Sequence, residues 1–494
     1  MRQRPNIVFV MTDEHRYDFL GCNGSPLAQT PALDALAADG VRFTNAFTPI
    51  SLCSPARASF MTGSYPHEHG MLANQGNFNR LFERLDPALP TIASRLHDAD
   101  YRTAFTGKWH LGPDDEVAAK FDAAHTMADY RAWLKSEGSD WSISKEAHRL
   151  EFGPGAEFCG TPAVHFDHFP DVWVGRQAEG FIREHARAHV REHAATPFYL
   201  QCWFFGPHFP ISVPPPYNTL VDPKSIAEWP NFRDTLEGKP RIQAHEKWRW
   251  NAEKIDWPHW QRIIAHSAGY VKLLDDVIGG ILRALDESGF ADETLVVFTS
   301  DHGDNLGSHG LFNKGFNFYD ETMRVPLVVR WPGTAPGGST CERFVSALDV
   351  TATLLAAAGV EHEPMHSRDL APLLRGEAAD WPDDVYAQFH GYETTLYTQR
   401  MVRTATWKYV YNPPEIDELY DLESDPAELV NRIADPACRA VLDEMKQRML
   451  AWMARADDRQ AFDLAYRLGP NPRVCGIEAF ERQGGAWWHH YTKA

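Results

Sequence analysis

The sequence has no apolar run long enough to cross a bilayer, no CxxC pair, no excess of basic residues, no internal repeat and no low-complexity segment. Each absence excludes something. A spanning helix needs roughly 20 consecutive apolar residues, so a helical membrane protein is excluded. The start "MRQRPNIVFVMTDEH" has a basic head and a short apolar run. Thr12, Asp13 and Glu14 break that run too soon for a signal peptide, and no small-residue cleavage site follows. The expected location is cytoplasmic. Seven cysteines, an odd number at wide spacing, fit a reducing compartment better than a disulfide framework. Lys and Arg total 48 against 67 Asp and Glu, a net charge of −19. Phosphate backbones demand a basic face, so no nucleic-acid partner is expected, and anionic membranes are disfavoured for the same reason. A small anionic substrate stays open, because exposed charges are largely screened beyond about 10 Å.

What is present is an ordinary globular composition, 44% hydrophobic and 23% charged over 494 residues. That length predicts one large domain plus a smaller one. "NIVFVMT" (6–12) is a short apolar run with acids at its end, and "TLVVFTSDHGD" (294–304) repeats the pattern. Both read as buried strands with functional groups at their carboxyl ends. "VRFTNAF", "RTAFTG" and "TPFYLQCWFF" are further strands. "TPALDALAADG" is a helix with Pro31 in its first turn and Gly40 at its end, "PTIASRLHDADY" a second, and "YVKLLDDVIGGILRALDESG" (270–289) a long amphipathic one. Strands alternating with helices predict an α/β fold: a large mixed, mostly parallel sheet flanked by helices. Ligands of such sheets sit beyond the carboxyl strand ends. After about residue 375 the texture changes. "RMVRTATWKYVYN" (400–412) alternates like an antiparallel strand, and "ELYDLESDPAELVN" reads as strand, turn and helix start. Residues 1–375 are therefore expected to form a catalytic domain, and 376–494 a smaller α+β subdomain with an antiparallel sheet and a tail.

Asp13, Glu14, Asp301 and His302 stand as two acid-bearing pairs at two strand ends. Hard divalent cations take carboxylate oxygens gathered at one point, although either pair alone reads equally well as helix caps. "GKWHLG" sets Lys108 and His110 two apart, on the same side if the segment is extended. "GPHFP" puts His208 in a rigid loop, and a glycine-rich loop after Asp301 carries His309 and Lys314. Around a metal, Arg57, Lys108, His110, His208 and Lys314 would grip a tetrahedral oxyanion and stabilise charge growing on it.

With these segments in view the chain resembles the type I, formylglycine-dependent sulfatases of the alkaline-phosphatase-like superfamily. "CSPAR" (53–57) matches their C-x-P-x-R signature and "ASFMTG" continues it. "GKWHLG", "GPHFP", "SDHGDNLGSHGLFNKGFNFYDETMRVPLVV" and the C-terminal "RTATWKYVYN" and "ELYDLESDPAELVN" follow in family order, over roughly residues 5 to 435. The resemblance implies a sulfatase that hydrolyses an aryl or carbohydrate sulfate monoester. Cys53 is then oxidised by a formylglycine-generating enzyme and hydrated to a geminal diol. Arg57 orients the diol, whose alkoxide attacks sulfur in line. His208 or Lys314 protonates the departing alcohol. The second hydroxyl gives its proton to His110, expelling sulfate and restoring the aldehyde. The implied metal ligands are Asp13, Glu14, the modified Cys53, Asp301 and His302. Asn74, Lys108, His208 and Lys314 would bind substrate. Glu14 stands where many relatives have Asp, and His302 where many have Asn. Oxygen-rich ligation favours Ca2+, while the nitrogen ligand lets Mg2+ or Mn2+ compete. A histidine at that position also occurs in phosphonate monoester hydrolases. A phosphonate or phosphate mono- or diesterase is thus the alternative, with the Lys108–His110 pair favouring sulfate. An inactive protein that binds sulfated ligands through an unmodified Cys53 is the alternative from another class. Homo-oligomers, dimer or tetramer, are left open.

Other features read as structural. His185, His189 and His193 recur every four residues on a predicted helix rich in Arg and Glu, expected as a solvated face. Asp349 reads as a helix cap. Trp487 and Trp488, beside His489 and His490, are expected to anchor the tail by burial. Cys22, Cys159, Cys202, Cys341, Cys438 and Cys475 read as small apolar residues.

Overall fold

The computed structural model describes residues 4–76, 84–142, 158–192, 196–377, 380–392 and 395–459. His193, Cys475 and the Trp487–His490 stretch lie outside them. The strands in chain order are β1 (Asn6–Thr12), β2 (Val41–Phe47), β3 (Arg102–Gly107), β4 (Ala123–Thr126), β5 (Cys159–Gly160), β6 (Phe198–Trp203), β7 (Ile211–Ser212), β8 (Thr294–Ser300), β9 (Leu327–Arg330), β10 (Ser339–Ser346), β11 (Asp384–Tyr392), β12 (Thr395–Thr404), β13 (Trp407–Tyr411) and β14 (Glu418–Asp421). Eight of them make one sheet in the order β10-β2-β9-β8-β1-β6-β3-β4. Its pairings are parallel except those of β9 with β2 and β8. The sheet is therefore mixed and mostly parallel, as its βα alternation predicts.

β1 shows why the sheet sits in the middle. All seven of its residues are buried. Val8 and Val10 join a core with the helices Pro170–Glu192 and Trp257–Glu287. Ile7, Phe9 and Met11 join a second core with Cys53–Thr62, Ile92–Asp98 and Asp349–Ala357. The period-2 alternation of a strand thus splits one apolar run between two helical layers. Each fully buried aliphatic side chain contributes about 1.5–3 kcal/mol relative to exposure. β11 to β14 form a separate antiparallel sheet. Its apolar face meets Phe47, Ile50 and Leu52 at the end of β2, and its other side packs under the Arg439–Arg455 helix.

Three local expectations need correction. The long helix begins at Trp257, well before 270, because Asp256 caps the His259 amide and Pro258 fits the first turn. The stretch 400–412 belongs to two strands, β12 and β13, joined by a turn at 405–406. No helix starts after Pro426; Asp421 and Asp425 carboxylates accept backbone N–H groups and hold a turn instead. A 3-10 turn at Pro436–Cys438 leads into the next α-helix, which opens at Arg439. Among the described residues no helix is long and apolar enough to cross a membrane.

Candidate active site and metal centre

Because β1, β2, β3, β6 and β8 run the same way, their carboxyl ends share one edge of the sheet. There the chain delivers Asp13 and Glu14 after β1, Lys108 and His110 after β3, His208 after β6, and Asp301 and His302 after β8. β2 leads through Thr48–Leu52 into the helix whose first residue is Cys53. The edge is tied together by backbone: the Asp301 N–H donates to Thr12 O (3.1 Å) and the Asp13 N–H to Gly206 O (3.0 Å). The Thr48 hydroxyl donates to Asp301 O at 2.6 Å.

Cys53 Sγ is fully buried, 3.6 Å from Asp13 Oδ1 and 3.3 Å from His302 Nε2. One helical turn on, the Arg57 side chain falls on the same face. It donates through Nε to Asp301 Oδ2 (3.1 Å), through Nη2 to Asp13 Oδ2 (2.8 Å) and through Nη1 to Lys108 O (2.8 Å). Its guanidinium lies over Trp203. Lys108 Nζ reaches Asp13 Oδ2 at 2.5 Å. Glu14 pairs with Lys314 Nζ, stands 3.3 Å from His208 Nε2 and accepts the Phe209 N–H. Lys314 Nζ and His208 Nε2 are 3.1 Å apart. The candidate donor atoms of Asp13, Glu14, Cys53 and His208, and those of Asp13, Cys53, Asp301 and His302, form two overlapping clusters of possible metal ligands.

Electrostatics differentiates these groups. Burial raises the Asp13 carboxyl, but Lys108 and Arg57 outweigh it and hold the group well below the usual carboxylate range. Asp301 goes the other way, pushed up to about 6 by burial and by the Asp13 charge. Burial and Asp13 push the Cys53 thiol well up. An unmodified Cys53 is therefore a poor thiolate nucleophile. Burial, then Lys108, lowers His208 to about 3, so this imidazole is neutral at physiological pH. Burial, Lys108 and Arg57 also drive His110 down, and its buried Nδ1 has no partner among the described residues.

The donor set suits a hard divalent cation. His302 Nδ1 lies 2.8 Å from Gly303 O, a group that only accepts, so Nδ1 carries the hydrogen. The Nε2 lone pair then points into the cluster beside carboxylate oxygens.

Of the site residues expected from the sequence, Asp13, Glu14, Cys53, Arg57, Lys108, His208, Asp301, His302 and Lys314 are joined here by direct contacts; His309 is not, and stacks on Tyr319 and bonds Asp234 elsewhere. Lys108 and His110 do not share an extended segment. β3 ends at Gly107 and His110 has φ 56°; Glu14 has φ 63°. Such left-handed non-glycine residues cost about 1 kcal/mol or more and cluster at functional sites. Asn74 Oδ1 accepts the Ser54 N–H at 2.9 Å, so its carbonyl pins the start of the Cys53 helix. Asp349 is the first residue of its helix and not its cap; its carboxylate accepts the Ser346 and Arg368 amides outside the helix, a structural role. His185 is buried against Phe181, Phe198 and Phe290, not solvated as expected, and half-buried His189 meets Phe290 edge-on at 5.8 Å.

Sequence reasoning missed Asp171. Its carboxylate accepts the N–H groups of Phe205 (2.7 Å) and Gly206 (3.1 Å) and the hydroxyl of Tyr270 (2.7 Å), fixing the loop that carries His208. Pro170–Asp171 looks in sequence like any helix start. Asp171→Ala is expected to lower kcat/KM by about 10–100-fold through misplacement of His208, with Asp171→Asn intermediate. Steady-state kinetics on refolding-competent protein checks this.

The family model described as Sulfatase matches residues 5–360, and that described as N-sulphoglucosamine sulphohydrolase, C-terminal, matches 307–455. The chain is 30% identical to the uncharacterized sulfatase YidJ of Escherichia coli, covering 92% of this chain and 88% of that one. It is 28% identical to an N-acetylglucosamine-6-O-sulfatase of Bacteroides thetaiotaomicron, covering 87% and 82%. A phosphonate monoester hydrolase of Agrobacterium radiobacter superposes with a TM-score of 0.76 at 27% identity, covering 92% and 96%. The strand-end acids, the buried signature cysteine and a family match over most of the chain agree: this protein belongs to the sulfatase family and is a sulfuric ester hydrolase.

Proposed function

We propose that the protein hydrolyses an aryl or carbohydrate sulfate monoester at the Cys53 cluster, after Cys53 has been converted to formylglycine. The observation that carries this is the placing of Cys53 Sγ between Asp13 Oδ1 and His302 Nε2, with Arg57 one turn away. The converted side chain supplies a hydrated aldehyde as nucleophile. Asp13, Glu14, Asp301 and His302 would hold the family's divalent metal, which when bound supplies Lewis acidity and positive charge. Oxygen-rich ligation favours Ca2+.

The remaining residues divide the work by charge state. Arg57 orients the residue at position 53. Lys108 and Lys314 hold the sulfate oxygens and stabilise charge as it moves onto them. His110, neutral and without a partner at Nδ1 among the described residues, accepts a proton. His208 is neutral and takes a hydrogen bond from Lys314, which favours Lys314 over His208 as donor to the departing alcohol oxygen. Asn74 keeps its amide NH2 for substrate. Cys53, Pro55 and Arg57 are all buried in one helix, so a formylglycine-generating enzyme has to read them before the chain folds.

One second reading has support. The Agrobacterium neighbour and His302 favour a phosphonate or phosphate ester hydrolase on the same site. Comparing kcat/KM on 4-nitrophenyl sulfate, 4-nitrophenyl phosphate and a phenyl phosphonate ester separates the two. A sulfate preference is expected, and a phosphonate preference moves the assignment. Ca2+ at a hundredfold excess over its Kd is expected to stabilise the fold by about 2.7 kcal/mol. Asp13→Asn should remove most of that gain in a thermal-shift titration.

A further inference from the structure

The departing alcohol leaves past His208 and Lys314, so whatever borders them reads its identity. A second set of side chains borders them. Phe209 stacks beside His208 (5.2 Å between centroids) and meets Trp250 edge-on at 5.2 Å. The Arg249 guanidinium lies over Trp250 (5.4 Å) and over Tyr392 (5.0 Å). The Tyr392 hydroxyl accepts from Asn313 Nδ2 at 3.3 Å, one residue before Lys314. Tyr392 also shares an apolar cluster with Leu52 and Ala73, the neighbours of Cys53 and Asn74. Glu246 completes the set. Its carboxylate is 3.2 and 3.4 Å from Arg249 Nη1 and lies 3.6 Å from where a Cβ on Gly315 would stand.

We propose that Arg249, with Glu246 beside it and Trp250 behind, is the specificity-determining group for the alcohol half of the substrate, and that this half is a saccharide read through neighbouring hydroxyls. The proposal rests on the sulfate-ester reading and deepens it. A saccharide hydroxyl donates and accepts, so two neighbouring ones match a guanidinium donor and a carboxylate acceptor set side by side. A sugar ring also has an apolar C–H face that packs on an aromatic such as Phe209 or Trp250. Competing alcohols fit worse. The faces of Trp250 and Tyr392 that would cage a quaternary ammonium already carry Arg249, whose charge repels such a cation. A sterol or plain aryl alcohol would desolvate the Arg249–Glu246 pair and return no hydrogen bond.

The test compares two substrates on the same preparation, which cancels any change in folded fraction. The probes are 4-nitrophenyl sulfate and a panel of N-acetylglucosamine 6-sulfate, galactose 4- and 6-sulfates and a hexuronate 2-sulfate. In wild type at least one sugar sulfate is expected to exceed 4-nitrophenyl sulfate in kcat/KM. In Arg249→Ala the ratio of that sugar ester to 4-nitrophenyl sulfate falls by about 100-fold, mostly through KM. Arg249→Lys recovers only part, because it keeps the charge and loses the planar fork, and Glu246→Gln lowers the ratio too. An unchanged ratio in Arg249→Ala, or a wild type that prefers 4-nitrophenyl sulfate to every sugar ester, overturns the proposal and leaves the sulfatase reading standing. No turnover of 4-nitrophenyl sulfate or of any sugar sulfate by fully converted wild type overturns both.

Discussion

Cys53→Ala should abolish hydrolysis of 4-nitrophenyl sulfate, lowering kcat by about 10⁴-fold or more, as expected when the covalent nucleophile is lost. The fold should survive. Cys53 starts a helix, alanine is the best helix former, and removing one sulfur atom leaves a small cavity worth about 1 kcal/mol. Metal binding should weaken without disappearing, since Asp13, Glu14, Asp301 and His302 remain. Cys53→Ser should be nearly as inactive, because a serine ester has no second hydroxyl with which to expel sulfate. Kinetics with a thermal melt on each variant check this. Full activity in Cys53→Ala would remove the nucleophile from the account. An unconverted wild type should resemble the alanine variant, because burial and Asp13 keep its thiol protonated.

Arg57→Ala should be the most destabilising change at the site. The guanidinium stands between Asp13 and Asp301, and both carboxylates are fully buried. Removing it leaves two like charges facing each other in a dry site. Breaking a buried pair this way costs about 3–5 kcal/mol. Lys108 still neutralises Asp13, so Asp301 bears most of the penalty and should move further up from its already raised position. Added Ca2+ should recover part of the loss, because a cation among these oxygens replaces the missing charge. Urea unfolding with and without Ca2+ measures both terms. Activity should vanish as well, partly because Arg57 belongs to the segment that, on the proposed function, a formylglycine-generating enzyme reads. A loss below about 1 kcal/mol would mean that Arg57 does not compensate the two acids.

Much of this site is legible in sequence for a physical reason. A buried parallel strand is a short apolar run, and the residue that follows it sits at the sheet edge where ligands bind. Asp13, Lys108, His208 and Asp301 each lie within a few residues of such a run, so finding the strands finds the site. Cys53 and Arg57 share a face because residues 53–62 form a helix, which no pattern singled out in the sequence marks. What was not legible depends on contacts between distant segments. Asp171 reaches the His208 loop across the start of another helix, and no local pattern marks it. The Arg249 set draws on the segments around residues 209, 246–250, 313 and 392, which only folding joins. The Trp257 start was obscured because its first turns carry polar residues among the apolar ones. The turn after Asp421 reads like a helix start because acidic side chains that cap helices also close turns.

The central claim is that catalysis runs through a converted Cys53, and the most direct test relates activity to conversion. Preparations are made with graded co-expression of a formylglycine-generating enzyme. The fraction of Cys53 present as formylglycine is read from the mass of the peptide that contains it. The same samples are assayed with 4-nitrophenyl sulfate. The account predicts turnover proportional to the converted fraction, on a line through the origin. Substantial turnover at zero conversion, or none at full conversion on this ester and on every sugar sulfate, would contradict it.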